Sequence, residues 1–353
     1  MLNHSGIGTY LRNTVPALIA ERPEIRFTLL GAPEELRTLP GADAANCELR
    51  EFRAPIYSIA EQVGAWRLTP RGTDLYWSPH YTIPLLRRGK LLVTVCDVCH
   101  LALPHLFGGL HRRLYAKLMF AAVRRKADAI ITISEFTRRE FLRLVGPARQ
   151  EIHAITLAAP ERWFSVRPTR NPEPAPYVLY VGNVKPHKNL TTLLEAMRLL
   201  PDDVAHNLVI VGKESGFLTG DPRVRERAAA LGDRVRFTGR VSDEALEQYV
   251  AHADALVFPS LYEGFGLPPL EAMACGCPVV VSNAASLPEV CGDAAVYIDP
   301  LDPADLARQL RRVLGDATLR EELRARGRAR ARQFSYDDCV RRTLAVVDEL
   351  LAR

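Results

Sequence analysis

The stretch ADALVFPSLYEGFGLPPLEAMACGCPVVVSNAASLP, residues 253–288, decides how this chain is read. Its first apolar run, residues 255–258, stops at Pro259 and gives way to a loop with two glycines, Glu263-Gly264-Phe265-Gly266. A helical segment starts near Pro268 and Pro269, carries Glu271 and closes at Gly276; residues 278–281 follow at once as a strand. Proline fits a first helical turn because its missing N–H would go unpaired there, and glycine just past the last turn is the usual stop. The unit is strand, loop, helix, strand, with its loop at the carboxyl end of a buried strand, where open α/β folds place ligands. One acid, Glu263, lies in the loop and the other, Glu271, early in the helix, so both can face one crevice without sharing a helix face.

Working back toward the amino terminus, a similar corner occurs at Tyr177-Val-Leu-Tyr-Val-Gly182-Asn183-Val184-Lys185-Pro186-His187-Lys188-Asn189. Gly182 lets a strand end approach a ligand, and Lys188 precedes a helix that begins near Asn189. A cation beside a helix start, at a strand's carboxyl end, suits a diphosphate and neutralises charge developing on a leaving group. The plain alternative for Lys188 is a surface helix residue. Strands at 207–211 and 235–237 alternate with helices and end in Gly212-Lys213-Glu214 and Gly239-Arg240-Val241, which predicts a parallel, doubly wound sheet.

The first half is read in the same terms. Asn3-His4-Ser5-Gly6-Ile7-Gly8 is expected to be a turn opening an amphipathic helix over residues 9–20. Gly6 and Gly8 there read either as a close-approach loop whose N–H groups meet an anion or a sugar, or as a plain helix cap. Strands are expected at 27–30, 49–51, 91–95, 127–133 and 155–157, with helices at 59–68 and from Ser134, the N-cap, to about 145. Cys96-Asp97-Val98-Cys99-His100 follows the 91–95 strand. Its C-x-x-C is a weak metal or redox signal, because a zinc site normally needs four ligands and the other cysteines are scattered. Asp97 either receives an acceptor hydroxyl or caps the next turn.

These motifs resemble the retaining nucleotide-sugar glycosyltransferases of family 4. The resemblance rests on the E-x7-E pair, the G-F-G-L-P-P run, the E-A-M-A-C-G-C-P-V-V joint and the L-P-E-V that follows, with weaker segments from Gly6 to Gly292. It implies an α/β GT-B fold: two doubly wound Rossmann-like domains facing each other across a cleft. It implies a metal-independent catalyst without a cofactor, in which Lys188 and the Phe265, Gly266 and Leu267 backbone hold the diphosphate. Glu263 then acts at the sugar, Glu271 takes the ribose hydroxyls, and Gly182, Asn183, Gly212 and Arg240 surround the nucleotide. The S-G-I-G-x-Y loop contacts the diphosphate region or the acceptor side. Two positions depart from the family pattern: Cys96 stands where a histidine is common, beside Asp97, and Asn183 stands where an arginine is usual. The resemblance is strongest to bacterial mannosyl- and rhamnosyltransferases of O-antigen or exopolysaccharide assembly, with GDP-mannose the expected donor and a glycan or lipid-linked glycan the acceptor. In the family a first strand precedes the glycine loop, so upstream codons are expected to supply one here. A nucleotide-sugar epimerase or phosphorylase on the same fold, or a non-catalytic subunit of a glycan assembly complex, are the alternatives.

Composition sets the bounds. A chain of 353 residues exceeds the size at which one core keeps growing. Domains are expected over 1–170 and 171–335, joined by a stretch (167–176) in which prolines alternate with polar residues, and residues 336–353 are expected to cross back to the first domain. Seven scattered cysteines fit a reducing, cytoplasmic compartment, and no run of eighteen apolar residues or signal-peptide pattern is found. Residues 1–170 hold 24 Lys+Arg against 15 Asp+Glu, while the remainder holds 22 against 26. Part of the basic excess is in residues 105–126, which have six Lys or Arg, no acid and an apolar stripe between. That pattern fits a helix lying on an anionic membrane surface, or a core-packed helix with a basic solvated face. The arginine-rich 320–332 segment lacks base-reading elements, so nucleic acid is not an expected partner.

Overall fold

The structure is a computed structural model that describes residues 2, 5–55, 58–106, 109–212, 221 and 223–353. The chain divides into two compact units. One comprises residues up to Pro104 with Gly109–Leu157 and Ser335–Arg353; the other is Ala158–Phe334 with the short stretch after Pro104. The division therefore falls after Leu157, ahead of the proline-rich stretch, and residues 158–170 belong with the second unit.

The first unit runs α1 (Ser5–Glu21), β1 (Phe27–Gly31), α2 (Pro33–Leu36), β2 (Cys47–Glu51), α3 (Ile59–Leu68), β3 (Leu75–Ser78), β4 (Lys90–Val95), α4 (Cys99–Ala102), α5 (Leu110–Lys126), β5 (Ala129–Thr132), α6 (Glu135–Val145) and β6 (Ile152–Ala154). The second runs β7 (Tyr177–Val181), α7 (Leu190–Leu199), β8 (Asn207–Val211), α8 (Arg223–Leu231), β9 (Val235–Gly239), α9 (Asp243–His252), β10 (Ala255–Phe258), α10 (Leu267–Cys275), β11 (Val279–Ser282), α11 (Leu287–Cys291), β12 (Val296–Ile298), α12 (Pro303–Gly315) and α13 (Ala317–Ala331). The closing helix, α14 (Tyr336–Ala352), belongs to the first unit, where it packs on α1, β3 and β5. All strand pairs among the described residues are parallel.

In the first unit β1 pairs with β2, and β3, β4, β5 and β6 form a separate sheet in that order. Leu18 of α1 and Val340 and Leu344 of α14 make one buried cluster, with Phe27 and Trp77 against it. Within β4, Thr94 accepts the Trp77 indole N–H at 2.9 Å. Two sequence expectations shift and one holds. Gly6 and Gly8 lie inside α1 and not in a loop before it, because the helix already begins at Ser5; Asn3 and His4 lie outside the described residues. The last strand of this unit is Ile152–Ala154, not 155–157. The expected Ser134 cap is present: its hydroxyl accepts from the Thr137 N–H at 3.0 Å.

The second unit has one six-stranded sheet in the order β12-β11-β10-β7-β8-β9. Chain order runs outward in both directions from the β10–β7 pair, which makes that pair the topological switch point, where open α/β sheets leave a crevice at the carboxyl ends. The β10 and β11 side chains are fully buried, as expected of strands covered by helices on both faces. Glycines end three neighbouring strands: Gly182 after β7, Gly212 after β8 and Gly239 closing β9. Gly182 N–H donates to Val211 O at 2.9 Å, and Gly212 N–H to Gly239 O at 3.0 Å. Gly212 sits at φ +150°, and a Cβ there would meet the Gly182 carbonyl oxygen at 2.1 Å. Only glycine allows these strand ends to come so close. Gly212→Ala is therefore expected to cost about 2 kcal/mol, a fall of roughly 4–8 °C in melting temperature for a unit of this size, by differential scanning calorimetry. An unchanged transition would mean that the strand ends part without penalty.

Candidate active site

The two halves of the candidate site follow the two strands of the switch point. After β7 the chain turns through a short 3-10 segment, Pro186–Lys188, and Asn189 takes the left-handed conformation (φ 58°) that Asn tolerates better than most residues. The Asn189 side chain is buried and fully used. Its amide donates to Pro259 O at 3.0 Å and Pro300 O at 2.7 Å, and its carbonyl oxygen accepts from the Thr192 hydroxyl at 2.8 Å. Leu261 N–H adds a bond to His187 O at 2.8 Å. The turn that carries Lys188 is thus tied to the carboxyl ends of β10 and β12. Sequence reasoning missed Asn189. Its only signal was its place directly after Lys188, at the start of α7.

The Lys188 ammonium meets both carboxylate oxygens of Glu263, at 2.7 and 2.9 Å, with the two side chains 18% and 13% exposed. The same nitrogen lies 5.2 Å from the Phe258 ring centroid, and that ring stacks on Tyr180 at 6.2 Å. A cation over an aromatic face gains from the ring quadrupole, more so when partly desolvated. Burial, and then the Glu263 charge, push the Tyr180 hydroxyl well above its ordinary range, so it stays neutral beneath the pair.

Beyond Glu263, the Ser286 hydroxyl lies 2.9 Å from Glu263 O and 2.7 Å from Phe265 O and shares its one proton between them, clamping the loop by its carbonyls. Gly266, at φ +116°, is the N-cap of α10. A helix start leaves its first N–H groups unpaired, but Pro268 and Pro269 have none to offer. The donor capacity of this helix start therefore falls to Leu267, with Gly266 and Phe265 just before it. Gly276, at φ +85°, ends the helix as expected.

Glu271 has different neighbours from Glu263. It is half-buried near Arg162 and Trp163, and the Trp163 indole nitrogen is enclosed without a closed hydrogen bond. Arg162 is itself paired with Asp243 at 2.6 Å and lies 3.5 Å from Glu247. Burial raises the Glu271 carboxyl from 4.5 to about 7 against the pull of Arg162. Of the other expected site residues, Asn183 offers its backbone oxygen to the Tyr180 hydroxyl at 3.4 Å, and Arg240 is exposed. Lys213 and Glu214 lie outside the described residues.

In the known proteins, the family described as "Glycosyl transferases group 1" matches residues 161–330. An Escherichia coli protein named O-antigen chain mannosyltransferase B is 33% identical over 297 residues, covering 79% of this chain and 75% of that one. The Salmonella typhimurium O-antigen chain mannosyltransferase RfbU is 30% identical over 229 residues, covering 65% and 61%. The chain belongs to the group 1 glycosyltransferases. An Anabaena protein, HepE, solved with UDP-glucose, superposes with a TM-score of 0.77 at 18% identity, covering 99% of this chain and 97% of that one, which fixes the fold as GT-B.

The glycosyltransferase's first unit holds Asp97, whose carboxylate accepts from the Cys99 N–H at 2.9 Å and so caps the turn into α4. Burial pushes the neighbouring Cys96 thiol well above its ordinary range and keeps it protonated. Glu271 makes a measurable pH signature. The folded protein holds its proton more tightly than the unfolded chain does. The stability it contributes is therefore full below pH 4.5 and is lost as pH rises through about 7. With Glu271→Gln, a neutral mimic, the variant's melting temperature is expected to gain on the parent's as pH rises from about 5 to about 8. A difference that stays flat across that range would place the carboxyl's folded and unfolded affinities level.

Proposed function

We propose that this glycosyltransferase moves a hexose, mannose from GDP-mannose, onto a hydroxyl of a glycan or lipid-linked glycan, with retention at the anomeric carbon. The observation that carries the reading is the Lys188–Glu263 pair at the switch point, four residues ahead of the α10 start. An ammonium has three hydrogens. Two are engaged by Glu263, and the third serves a diphosphate oxygen, with the Phe265–Leu267 N–H groups supplying further donors. As the sugar's C–O bond to the diphosphate breaks and one to the acceptor forms, negative charge gathers on the leaving phosphate and positive charge on the ring. Lys188 answers the first and Glu263 the second, and both are oriented beforehand by Asn189 and Ser286. Glu271 takes the ribose hydroxyls. No divalent ion is required in this scheme. The mannose assignment draws on relatives named as mannosyltransferases.

Activity with GDP-mannose is expected to survive EDTA, and Lys188→Ala or Glu263→Gln to lower turnover by roughly 10²–10³-fold, the usual cost of losing one preorganised charge. Because the two act as a unit, the double variant is expected to be little worse than either single one. Glu271→Gln should act mainly on donor KM. Turnover restored only by Mg²⁺ or Mn²⁺, or a normal Lys188 variant, would refute the scheme. An epimerase would interconvert donors without transfer, and a non-catalytic subunit would bind donor and leave it intact.

A second part of the reading concerns where the acceptor is met. Ala116, Met119, Phe120 and Val123 bury one side of α5. Leu110, Leu114 and Leu118 on the other side are 82%, 65% and 55% exposed. At about 100° per residue these three share an arc of roughly 100° with Lys117 and Arg125, which are also exposed. Apolar residues among cations on a helix without an acid of its own fit the headgroup region of an anionic bilayer, where each cation adds about 1 kcal/mol. No described helix is long and apolar enough to cross a membrane. Cosedimentation with phosphatidylglycerol vesicles is expected to fall at least roughly tenfold in a variant carrying Lys117→Glu, Arg125→Glu, Leu114→Ser and Leu118→Ser. Arg112 and Arg113 are half-buried and make poorer probes of the surface. Vesicle binding unchanged by the four substitutions would leave α5 as an ordinary solvated helix.

A further inference from the structure

The second unit holds a buried donor that the proposed transfer does not use, the indole N–H of Trp163. Trp163 lies in the 3-10 turn Glu161–Phe164 and is 1% exposed. Its backbone N–H closes the turn on Pro160 O at 3.0 Å, but its indole nitrogen is enclosed without a closed hydrogen bond. A buried indole N–H usually finds an acceptor, and one that lacks it calls for an explanation. The turn that carries it is pinned. Arg162 reaches Asp243 of α9 at 2.6 Å, and the Arg332 guanidinium lies over the Phe164 ring at 4.9 Å. Farther along, Gln248 of α9 accepts the Thr169 N–H at 2.8 Å and donates to Arg167 O at 3.2 Å.

The acceptor this indole meets is Glu271 of α10, the helix on which the turn packs. Their bond stays open for a chemical reason. A protonated carboxyl spends one oxygen as a donor and is a weaker acceptor than an ionised one, and burial lifts the Glu271 carboxyl to about 7. The charges around it do not reverse this. Arg162 favours ionisation but is engaged by Asp243 and lies 3.5 Å from Glu247, and Asp243 itself opposes ionisation. From α13, Arg328 reaches Cys275 O at 3.3 Å, at the far end of α10, where burial keeps the Cys275 thiol protonated. Glu289 of α11 gives its carbonyl to Arg330, and β10 and β11 carry no charged side chain.

We propose that Trp163 is a positioning residue for the donor: its indole N–H closes on one oxygen of Glu271 once a nucleotide's ribose hydroxyls engage the carboxylate. This rests on the assignment of the ribose to Glu271 and adds to it a group that fixes the carboxylate's rotation. An ionised carboxylate has about four acceptor sites, enough for two hydroxyls and one indole. The hydroxyls donate to it, the carboxyl O–H bond breaks with its proton passing to solvent, and the N–H···O contact becomes charge-assisted. Donor binding is thereby linked to loss of a proton, and the donor is held more tightly as pH rises from about 6 to about 8.

The test reads the indole N–H signals of the full chain by nuclear magnetic resonance. The chain has three tryptophans, so three such signals are present, and that of Trp163 is the one missing in Trp163→Phe. Should that variant not fold, Trp66→Phe and Trp77→Phe assign it by difference. Without nucleotide, the Trp163 signal is expected to move downfield as pH rises, with a midpoint near about 7, and to stay still in Glu271→Gln. Held at about pH 6, GDP is expected to move it the same way. Trp163→Phe is expected to raise donor KM roughly tenfold with far less change in kcat, the usual cost of one charge-assisted bond. It is also expected to flatten the fall of donor KM between about pH 6 and about pH 8, which a loss of packing alone would not do. A Trp163 signal that ignores pH, or titrates equally in Glu271→Gln, overturns the proposal without reference to any donor. So does a signal that neither GDP nor UDP moves, or a folded Trp163→Phe with the parent's donor KM. A signal moved by UDP alone supports the role of Trp163 and removes GDP-mannose as the donor.

Discussion

The pairing of β7 with β10 is the constraint on which the candidate site depends. These two strands are far apart in the chain and adjacent in the sheet. Their neighbours diverge on either side, so the loops that leave their carboxyl ends have space between them. Lys188 leaves from one and Glu263 from the other, and the ion pair closes that space with a charge-assisted contact of 2.7 Å. A partly buried pair of this kind is a poor source of stability, because desolvation offsets much of the attraction. Its value is orientation: each side chain holds the other in one rotamer before any ligand arrives. Asn189 supports the arrangement from below, through two carbonyls that belong to other strand ends.

Much of this was legible in the sequence because it is carried by local rules. Alternating buried strands and helices, Pro268 and Pro269 at a helix start, Gly276 at its end and Ser134 as a cap are short-range decisions, and each appears where the residues put it. Gly182 was legible as a strand end that can approach a ligand, but its contact with Gly212 was not, since the two meet across a ladder. What escaped reading was contact over long sequence separation. The Lys188–Glu263 pair and the bonds from Asn189 to Pro259 and Pro300 join residues far apart in the chain. No periodicity or spacing encodes such a meeting. Gly6 and Gly8 were misread as a loop because glycine is a weak helix former, and packing of α1 against α14 outweighs that preference.

The two acids of the E-x7-E pair are chemically unlike despite their shared motif. Glu263 is matched to a cation and lies in a loop clamped by Ser286. Glu271 lies on α10 beside an indole and a guanidinium already committed to Asp243, and its proton affinity is far higher than that of an ordinary carboxyl. Environment, not residue type, sets the two acids apart.

The paired prolines of α10 carry a consequence of another kind. An ordinary helix start offers a ring of several amides, and an anion can settle against any of them, sliding along the axis by about 1.5 Å for each residue it moves. Two imino acids in succession erase that choice. Within the helix only Leu267 is left as a mark, with Gly266 and Phe265 just before it, and the place of that mark relative to the ammonium across the crevice is set by the pairing of β7 with β10.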